Sequence, residues 1–161
     1  MGIKHFARLG DDDRAAITAH LNALDKGSRA LRFGSSLHDD AVAKYVAMID
    51  FGRDILEGVW DDNALVGVAH LAIYREHGRR VGELGISVLP EGRHQHLGQR
   101  LLSRTLVHAG LNRVARVHVE FLVRNRPMAR LAREFTDQID TDRGEAHAII
   151  DMADRPTPLA A

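Results

Sequence analysis

The sequence predicts a single α/β domain, a mixed sheet of about six to seven strands covered by helices on both faces. Three observations carry this reading. The chain has 161 residues, 45% apolar and 27% charged, which suits one core at the usual prior of roughly 150 residues per domain. Its apolar period switches between 3.6 and 2 without an intervening linker, repeat or low-complexity run. The resulting order is helix, helix, strand meander, helix, strand, helix, strand pair, and a sheet met by that many amphipathic helices is covered on both sides. The domain is expected to span residues 1–154, with a frayed Pro-containing tail at 155–161.

After an extended start at Ile3 to Leu9, the acids Asp11-Asp12-Asp13 precede Ala15, Ile17, Leu21 and Leu24, placing carboxylates at the positive end of a first helix that closes at Lys26-Gly27. His38-Asp39-Asp40 opens a second helix through Val42, Tyr45, Val46 and Ile49. Gly27 to His38 reads as a variable loop between them. From Ile55 the period is 2: Ile55 to Trp60 and Ala64 to Tyr74 flank an Asp61-Asp62-Asn63 turn, and His77-Gly78-Arg79-Arg80 makes the next. Val81 to Leu89 is the third strand of the meander. Leu84, Ile86 and Val88 share one face, and Glu83, Gly85 and Ser87 the other. That second face, a carboxylate followed by two small residues, is expected to leave room for a ligand.

Pro90 and Gly92 end the strand, and the loop Glu91 to His96 leads into Leu97, Leu101, Leu102, Leu106 and Ala109 at helical spacing. Ala115 to Val123 alternates cleanly as a strand. Asn125 to Phe135 is a short helix with Met128, Leu131 and Ala132 inward, and strands near Thr136 to Asp140 and Glu145 to Met152 finish the fold.

Composition narrows the function. The chain has no cysteine, which removes disulfides, cysteine metal sites and thiol nucleophiles and fits a reducing compartment. Lys+Arg and Asp+Glu are 22 each, so a nucleic acid partner is not expected, and the local basic clusters at Arg93–Arg104 and Arg124–Arg133 suit a small polyanion. No apolar run approaches the ~20 residues of a membrane span, and no signal stretch opens the chain. The expectation is a cytoplasmic protein without membrane contact.

The chemistry concentrates in the strand end and loop from Val88 to Leu102. A strand turning into a helix aims several unpaired N–H groups and the positive helix end at one spot, which is a phosphate site. Gly98 would let the backbone approach the anion, while Arg93, His94, His96 and Arg100 add charge around it. His94-x-His96 offers two imidazoles without a carboxylate or thiolate companion, so no metal is expected. Neither a P-loop nor a Gly-x-Ser-x-Gly elbow is present.

With the preceding strand and Asn125, this stretch resembles the acyl-coenzyme A site of the GNAT acetyltransferase superfamily, whose loop reads Gln/Arg-x-x-Gly-x-Gly/Ala. Here the loop is Arg93-His94-Gln95-His96-Leu97-Gly98, with a histidine in place of the first glycine. Within the superfamily, Gly82-Glu83-Leu84-Gly85-Ile86-Ser87-Val88 and Asn125-Arg126-Pro127-Met128-Ala129-Arg130-Leu131 are similar to the catalytic domain of bacterial protein lysine acetyltransferases. The resemblance implies a mostly antiparallel sheet and transfer of an acetyl group from acetyl-coenzyme A to a primary amine, a protein lysine or a small amine, without a metal. It implies Glu83 as general base, with His118 and Glu120 as substitutes, and the Val88 N–H as oxyanion donor. Ile86, Ser87 and Val88 would lie along the cofactor arm. Arg93, His94, Gln95, His96, Leu97, Gly98 and Gln99 would hold the pyrophosphate, and Asn125 with Met128 would close the site from the last helix.

Two departures leave alternatives open. The tyrosine that many members place seven residues after the asparagine is Ala132, and Thr136-Asp137 stands where a Gly-Phe pair usually closes the last helix. A catalytically degenerate acyl-coenzyme A sensor or partner subunit is the second reading, and a fold kept only for assembly the third. The acceptor is beyond the sequence, and a homodimer stays open.

Overall fold

The computed structural model describes residues 2–155; of the expected tail, residues 156–161 lie outside the described part. The strands are β1 (Lys4–Arg8), β2 (Ile55–Asp61), β3 (Ala64–Glu76), β4 (Arg79–Val88), β5 (Arg116–Leu122), β6 (Ile139–Asp142) and β7 (Glu145–Asp151). They form one seven-stranded sheet in the order β1-β2-β3-β4-β5-β7-β6. Every pairing is antiparallel except β4 with β5. The helices are α1 (Arg14–Ala23), α2 (Lys26–Phe33), α3 (Asp39–Ala47), α4 (Leu97–Leu111) and α5 (Arg126–Phe135).

The period-2 segments become strands because each has one face to bury. Leu71, Leu84, Val117, Val119 and Ile150 turn to the face covered by α4, where Leu101, Leu102, Leu106 and Ala109 meet them. Leu56, Val68 and Leu89 turn to the opposite face, against Ile17 and Leu21 of α1 and Val42 and Val46 of α3. The helices thus lie on both sides, as the element order implies. The chain reverses between β3 and β4 at His77 (φ 49°) and Gly78 (φ 78°), the paired left-handed conformation that suits a two-residue hairpin. Arg79 and Arg80, expected in the turn, already belong to β4. α4 is also tied to β2 by a buried carboxylate: Glu57 is 0% exposed, accepts from Arg104 Nε at 2.9 Å and lies 3.0 Å from His108 Nε2. Among the described residues no helix is long and apolar enough to cross a membrane.

One element corrects the sequence reading. Gly27 to His38 is expected as a loop, but most of it is α2, only two residues beyond α1. The Asp25 side chain accepts from the Ser28 N–H at 2.7 Å, and Gly34 closes the helix at φ 79°. These are ordinary start and stop signals. They are masked because Leu31 and Phe33 are too few to draw a stripe in so charged a segment. The helix is held by its caps and by arginines: Arg29 reaches the carbonyls of Asn22, Leu24 and Leu37 and the carboxylate of Asp39.

A second surprise lies under α1. His20, 2% exposed, hydrogen-bonds the Leu65 carbonyl through Nδ1 at 2.9 Å and Ser87 Oγ through Nε2 at 2.8 Å. The network assigns the proton to Nδ1 and makes Nε2 the acceptor of the serine hydroxyl. Burial pushes His20 down from 6.5 to about 4, against the smaller opposing pull of the Leu65 carbonyl. The native state therefore keeps His20 neutral at pH values where the unfolded chain protonates it, and the unfolded state binds more protons. The stability gained from neutral His20 is complete above pH 6.5 and is lost as pH falls towards 4, amounting to about 3 kcal/mol. Measured by denaturant unfolding across pH 4 to 7.5, wild type is expected to lose stability more steeply than His20→Gln. The difference in slope should correspond to about one extra proton taken up on unfolding.

Candidate active site

β4 and β5 pair over only three register positions, Val81 with Arg116, Gly82 with Val117 and Glu83 with His118. Beyond them β4 continues to Val88 beside β3, and β5 continues to Leu122 beside β7. The two strands part, and a wedge opens in the middle of the sheet. The Leu89 N–H bonds back to Val66 O on β3 at 2.8 Å. In an antiparallel ladder the N–H and C=O of one residue point the same way and alternate along the strand. Leu89, Ser87 and Gly85 therefore face β3, while Val88 and Ile86 turn their amides into the wedge.

The loop after β4 continues this row of donors. Pro90–Gly92 makes one 3₁₀ turn, and α4 starts at Leu97 with no side chain capping its N-terminus. The first N–H groups of α4 stay available to an anion. His94 (φ 59°) and His96 (φ 56°) both adopt the left-handed conformation. His96 thus takes a backbone geometry that glycine adopts freely, and histidine is among the other residues that tolerate it best. Its side chain is exposed.

The other expected loop residues divide. Leu97 is 3% exposed and anchors α4 in the core. Arg93 folds back, donating from Nε to the Val88 carbonyl at 3.2 Å and from Nη2 to Ser28 Oγ on α2 at 3.1 Å. Gln95 bonds the Glu91 carbonyl at 3.0 Å and Gln99 bonds Glu134 at 2.7 Å. A Cβ on Gly98 would stand 3.7 Å from Leu131, ordinary contact, so nothing within the chain itself demands glycine there. Arg100, expected at the rim, instead lies 4.1 Å over the Phe6 ring, towards β1. Asn125 caps α5 by accepting from the Met128 N–H at 3.2 Å, which spends Oδ1 and leaves its amide protons for another partner. Ala132 is 1% exposed in the core, so no acid projects from that position. Among the described residues no group of three or more His, Asp or Glu is placed to hold a metal ion.

On the face opposite α4, the expected empty strip above Gly85 and Ser87 is filled. Ser87 is held by His20. A Cβ on Gly85 would overlap the Arg32 guanidinium, so the glycine leaves free the strand surface on which that group lies. Glu83 is exposed and makes no ion pair among the described residues. The desolvation expected of it is therefore absent in the free chain. Beside it, His118 Nδ1 stands 2.9 Å from His147 Nε2, and the His118 Nε2 is buried without a partner. Burial, followed by the neighbouring His147, pushes His118 below the usual histidine value. Glu120 is exposed two residues further along β5.

The sequence reading missed a chain of groups behind Arg32. Arg32 Nη2 donates to Tyr45 Oη at 3.0 Å, Tyr45 Oη is hydrogen-bonded to His70 Nδ1, and His70 Nε2 meets Asp54 Oδ2 at 2.9 Å. Asp54, 3% exposed, also accepts from Arg53 Nε at 2.8 Å and the Ile73 N–H at 3.1 Å. Burial alone would push its carboxyl up, but these three donors together outweigh it and hold Asp54 at about 2. His70 lies opposite Gly85 in the ladder, so only strand register brings the chain to the site. A cavity of about 540 Å³ lies elsewhere, between the C-terminal half of α4 and Asp151–Arg155, and includes none of the expected site residues.

The fold agrees with the comparisons to known proteins. The sequence pattern of the Acetyltransferase (GNAT) family matches residues 25–136, more than half of the chain. The protein belongs to the GNAT acetyltransferase family. No curated protein sequence matches it. Similar solved structures include the GNAT domain of S. lividans PAT (14% identity, TM-score 0.77, 92% of this chain and 90% of that one). An N-acetyltransferase from Staphylococcus aureus is 16% identical with a TM-score of 0.73 over 93% of this chain and 99% of that one. A phosphinothricin acetyltransferase from Sinorhizobium meliloti, solved with acetyl-coenzyme A, is 16% identical with a TM-score of 0.71 over 97% and 94%. At these identities the likeness is one of fold.

Two substitutions test the local geometry. Asp54→Ala leaves His70, Arg53 and the Ile73 N–H without their acceptor and is expected to cost about 3 kcal/mol in chemical denaturation. His96→Gly relieves the left-handed cost and is expected to be neutral or to stabilise by up to about 1 kcal/mol, read as a raised melting temperature.

Proposed function

We propose that the protein is an N-acetyltransferase that moves an acetyl group from acetyl-coenzyme A to a primary amine, with Glu83 as general base. The wedge between β4 and β5 carries this reading, because its unpaired Ile86 and Val88 amides run on into the uncapped start of α4. The amides suit the amide-containing pantetheine arm, which would add to β4 as a further strand does. The α4 N-terminus with the Arg93–Gln99 loop suits the diphosphate, and the free amide of Asn125, with Met128 behind it, suits the opposite wall. The residues present therefore fit this cosubstrate, although Arg93 must leave Val88 and Ser28 to reach a phosphate.

The cosubstrate supplies an activated thioester carbonyl; the chain supplies the rest. An alkylamine with a pKa near about 10.4 is almost wholly protonated at neutral pH, so it must lose a proton before it can attack. Glu83 stands where the strands separate, exposed and with no cation among the described residues to neutralise it, and it accepts that proton directly or through a water. The Val88 N–H, fixed by the sheet and aimed into the wedge, meets the oxyanion that forms when the amine adds to the carbonyl. One such donor is worth about 10² to 10³ in rate. Collapse breaks the C–S bond and leaves the acetyl group on nitrogen; the nitrogen gives its second proton to water and water returns one to the thiolate, since position 132 carries only a methyl.

Incubation with acetyl-coenzyme A and a panel of amines should release thiol well above the hydrolysis background. Glu83→Gln should lower kcat by about 10²-fold or more, with the deficit narrowing at high pH where the free amine no longer needs a base. A background rate in wild type, or a fully active Glu83→Gln, overturns the assignment. Tight coenzyme A binding without turnover would favour the sensor reading.

A further inference from the structure

The guanidinium of Arg32 lies on β4 directly over Gly85, one alternation along the same face from Glu83. The side chain is half-buried, and no carboxylate of the described residues is within ion-pair distance of it. Every contact that fixes it is uncharged or aromatic: the Tyr45 hydroxyl, the Phe33 ring at 4.5 Å and the Tyr45 ring at 5.7 Å. Asp54, at the far end of the hydrogen-bonded line through Tyr45 and His70, has both oxygens taken by His70, Arg53 and the Ile73 N–H and does not reach the guanidinium. The fold thus orients a cation through a tyrosine and a histidine and leaves its charge uncompensated. A planar guanidinium so presented is built to take a carboxylate by two parallel hydrogen bonds.

We propose that Arg32 binds the carboxylate of the acceptor, so that the amine acetylated belongs to a small amino acid rather than to a polyamine or a lysine-rich peptide. This rests on the acetyltransferase reading above and names its substrate class. Residues two apart on a strand are separated by about 6.6 Å. Arg32 and Glu83 therefore offer opposite charges across a gap that a molecule carrying both a carboxylate and an ammonium fills, with its nitrogen towards Glu83 and the wedge. Tyr45 and His70 are positioning residues that hold the guanidinium flat.

The experiment pairs each L-amino acid with the amine left by its decarboxylation, for instance leucine with isoamylamine and phenylalanine with phenethylamine. Acetyl-coenzyme A is the donor, and binding of each amine is followed separately by thermal shift in the presence of coenzyme A. Wild type should favour at least one amino acid over its decarboxylated partner by at least about 10²-fold in kcat/KM, well inside the roughly 10⁴ to 10⁵ by which a site built for a polar group rejects its absence. In Arg32→Gln that ratio should fall at least tenfold, carried mainly by KM for the amino acid, with Arg32→Lys and Tyr45→Phe in between. Equal use of both partners by wild type, or an unchanged ratio in Arg32→Gln, overturns the proposal. So does a loss confined to KM for acetyl-coenzyme A, which would assign the guanidinium to a phosphate of that molecule. If amino acids raise the melting temperature of wild type but not of Arg32→Gln, yet no thiol is released, the carboxylate site stands and the transferase reading fails. If no amino acid binds, the carboxylate site fails by itself.

Discussion

The three-residue parallel pairing of β4 with β5 is the constraint on which this molecule turns. Before Glu83 and His118 the two strands share a ladder; beyond them each keeps a partner on its far side and has none on its near side. A sheet interrupted at its edge loses little, but one interrupted at its centre leaves main-chain donors and acceptors unpaired in the interior. Such groups are costly unless something meets them. The fold tolerates the opening because both flanking halves are well packed, β1 to β4 on one side and β5 to β7 on the other, with α4 and α5 beneath. The unmet amides are an invitation to a ligand that carries its own peptide-like bonds.

The rest of the site follows from where that opening falls. The chain leaves β4 at the mouth of the wedge and enters α4 within eight residues, so the helix N-terminus necessarily lies at the same place as the last free strand amide. The left-handed turns at His94 and His96 make this change of direction possible in so short a loop. On the opposite face, α2 crosses β4 and β5 and closes the side from which an acceptor would come. Because α2 is held by caps and arginine contacts more than by an apolar stripe, it brings charge to the sheet as well as cover.

That charge is unevenly balanced. The carboxylates of Glu57 and Asp54 are buried and matched by arginine or histidine partners, as buried ions must be. Around the wedge the opposite holds among the described residues: Glu83 and Glu120 pair with no cation, and Arg32 with no acid. Interior ions are neutralised, while a carboxylate and a guanidinium beside an open strand edge have no ion-pair partner among the described residues.

Much of this was legible in the linear order of residues. The alternation at Val81 to Leu89 and Ala115 to Val123, and the spacing of Leu97, Leu101, Leu102 and Leu106, are local patterns whose period alone decides strand or helix. The sequence therefore determined the elements, the loop that opens α4, and the placing of Glu83 on the face away from Leu84. Helix α2 escaped because its signals are caps and its apolar residues too few to show a period. What the tertiary structure alone decided is which distant groups meet: Ser87 with His20, Gly85 with Arg32, and the line from Asp54 through His70 and Tyr45. Those contacts depend on strand register and on the angle at which helices cross the sheet. Both are set by packing many residues at once, and neither leaves a trace in any short run of the chain.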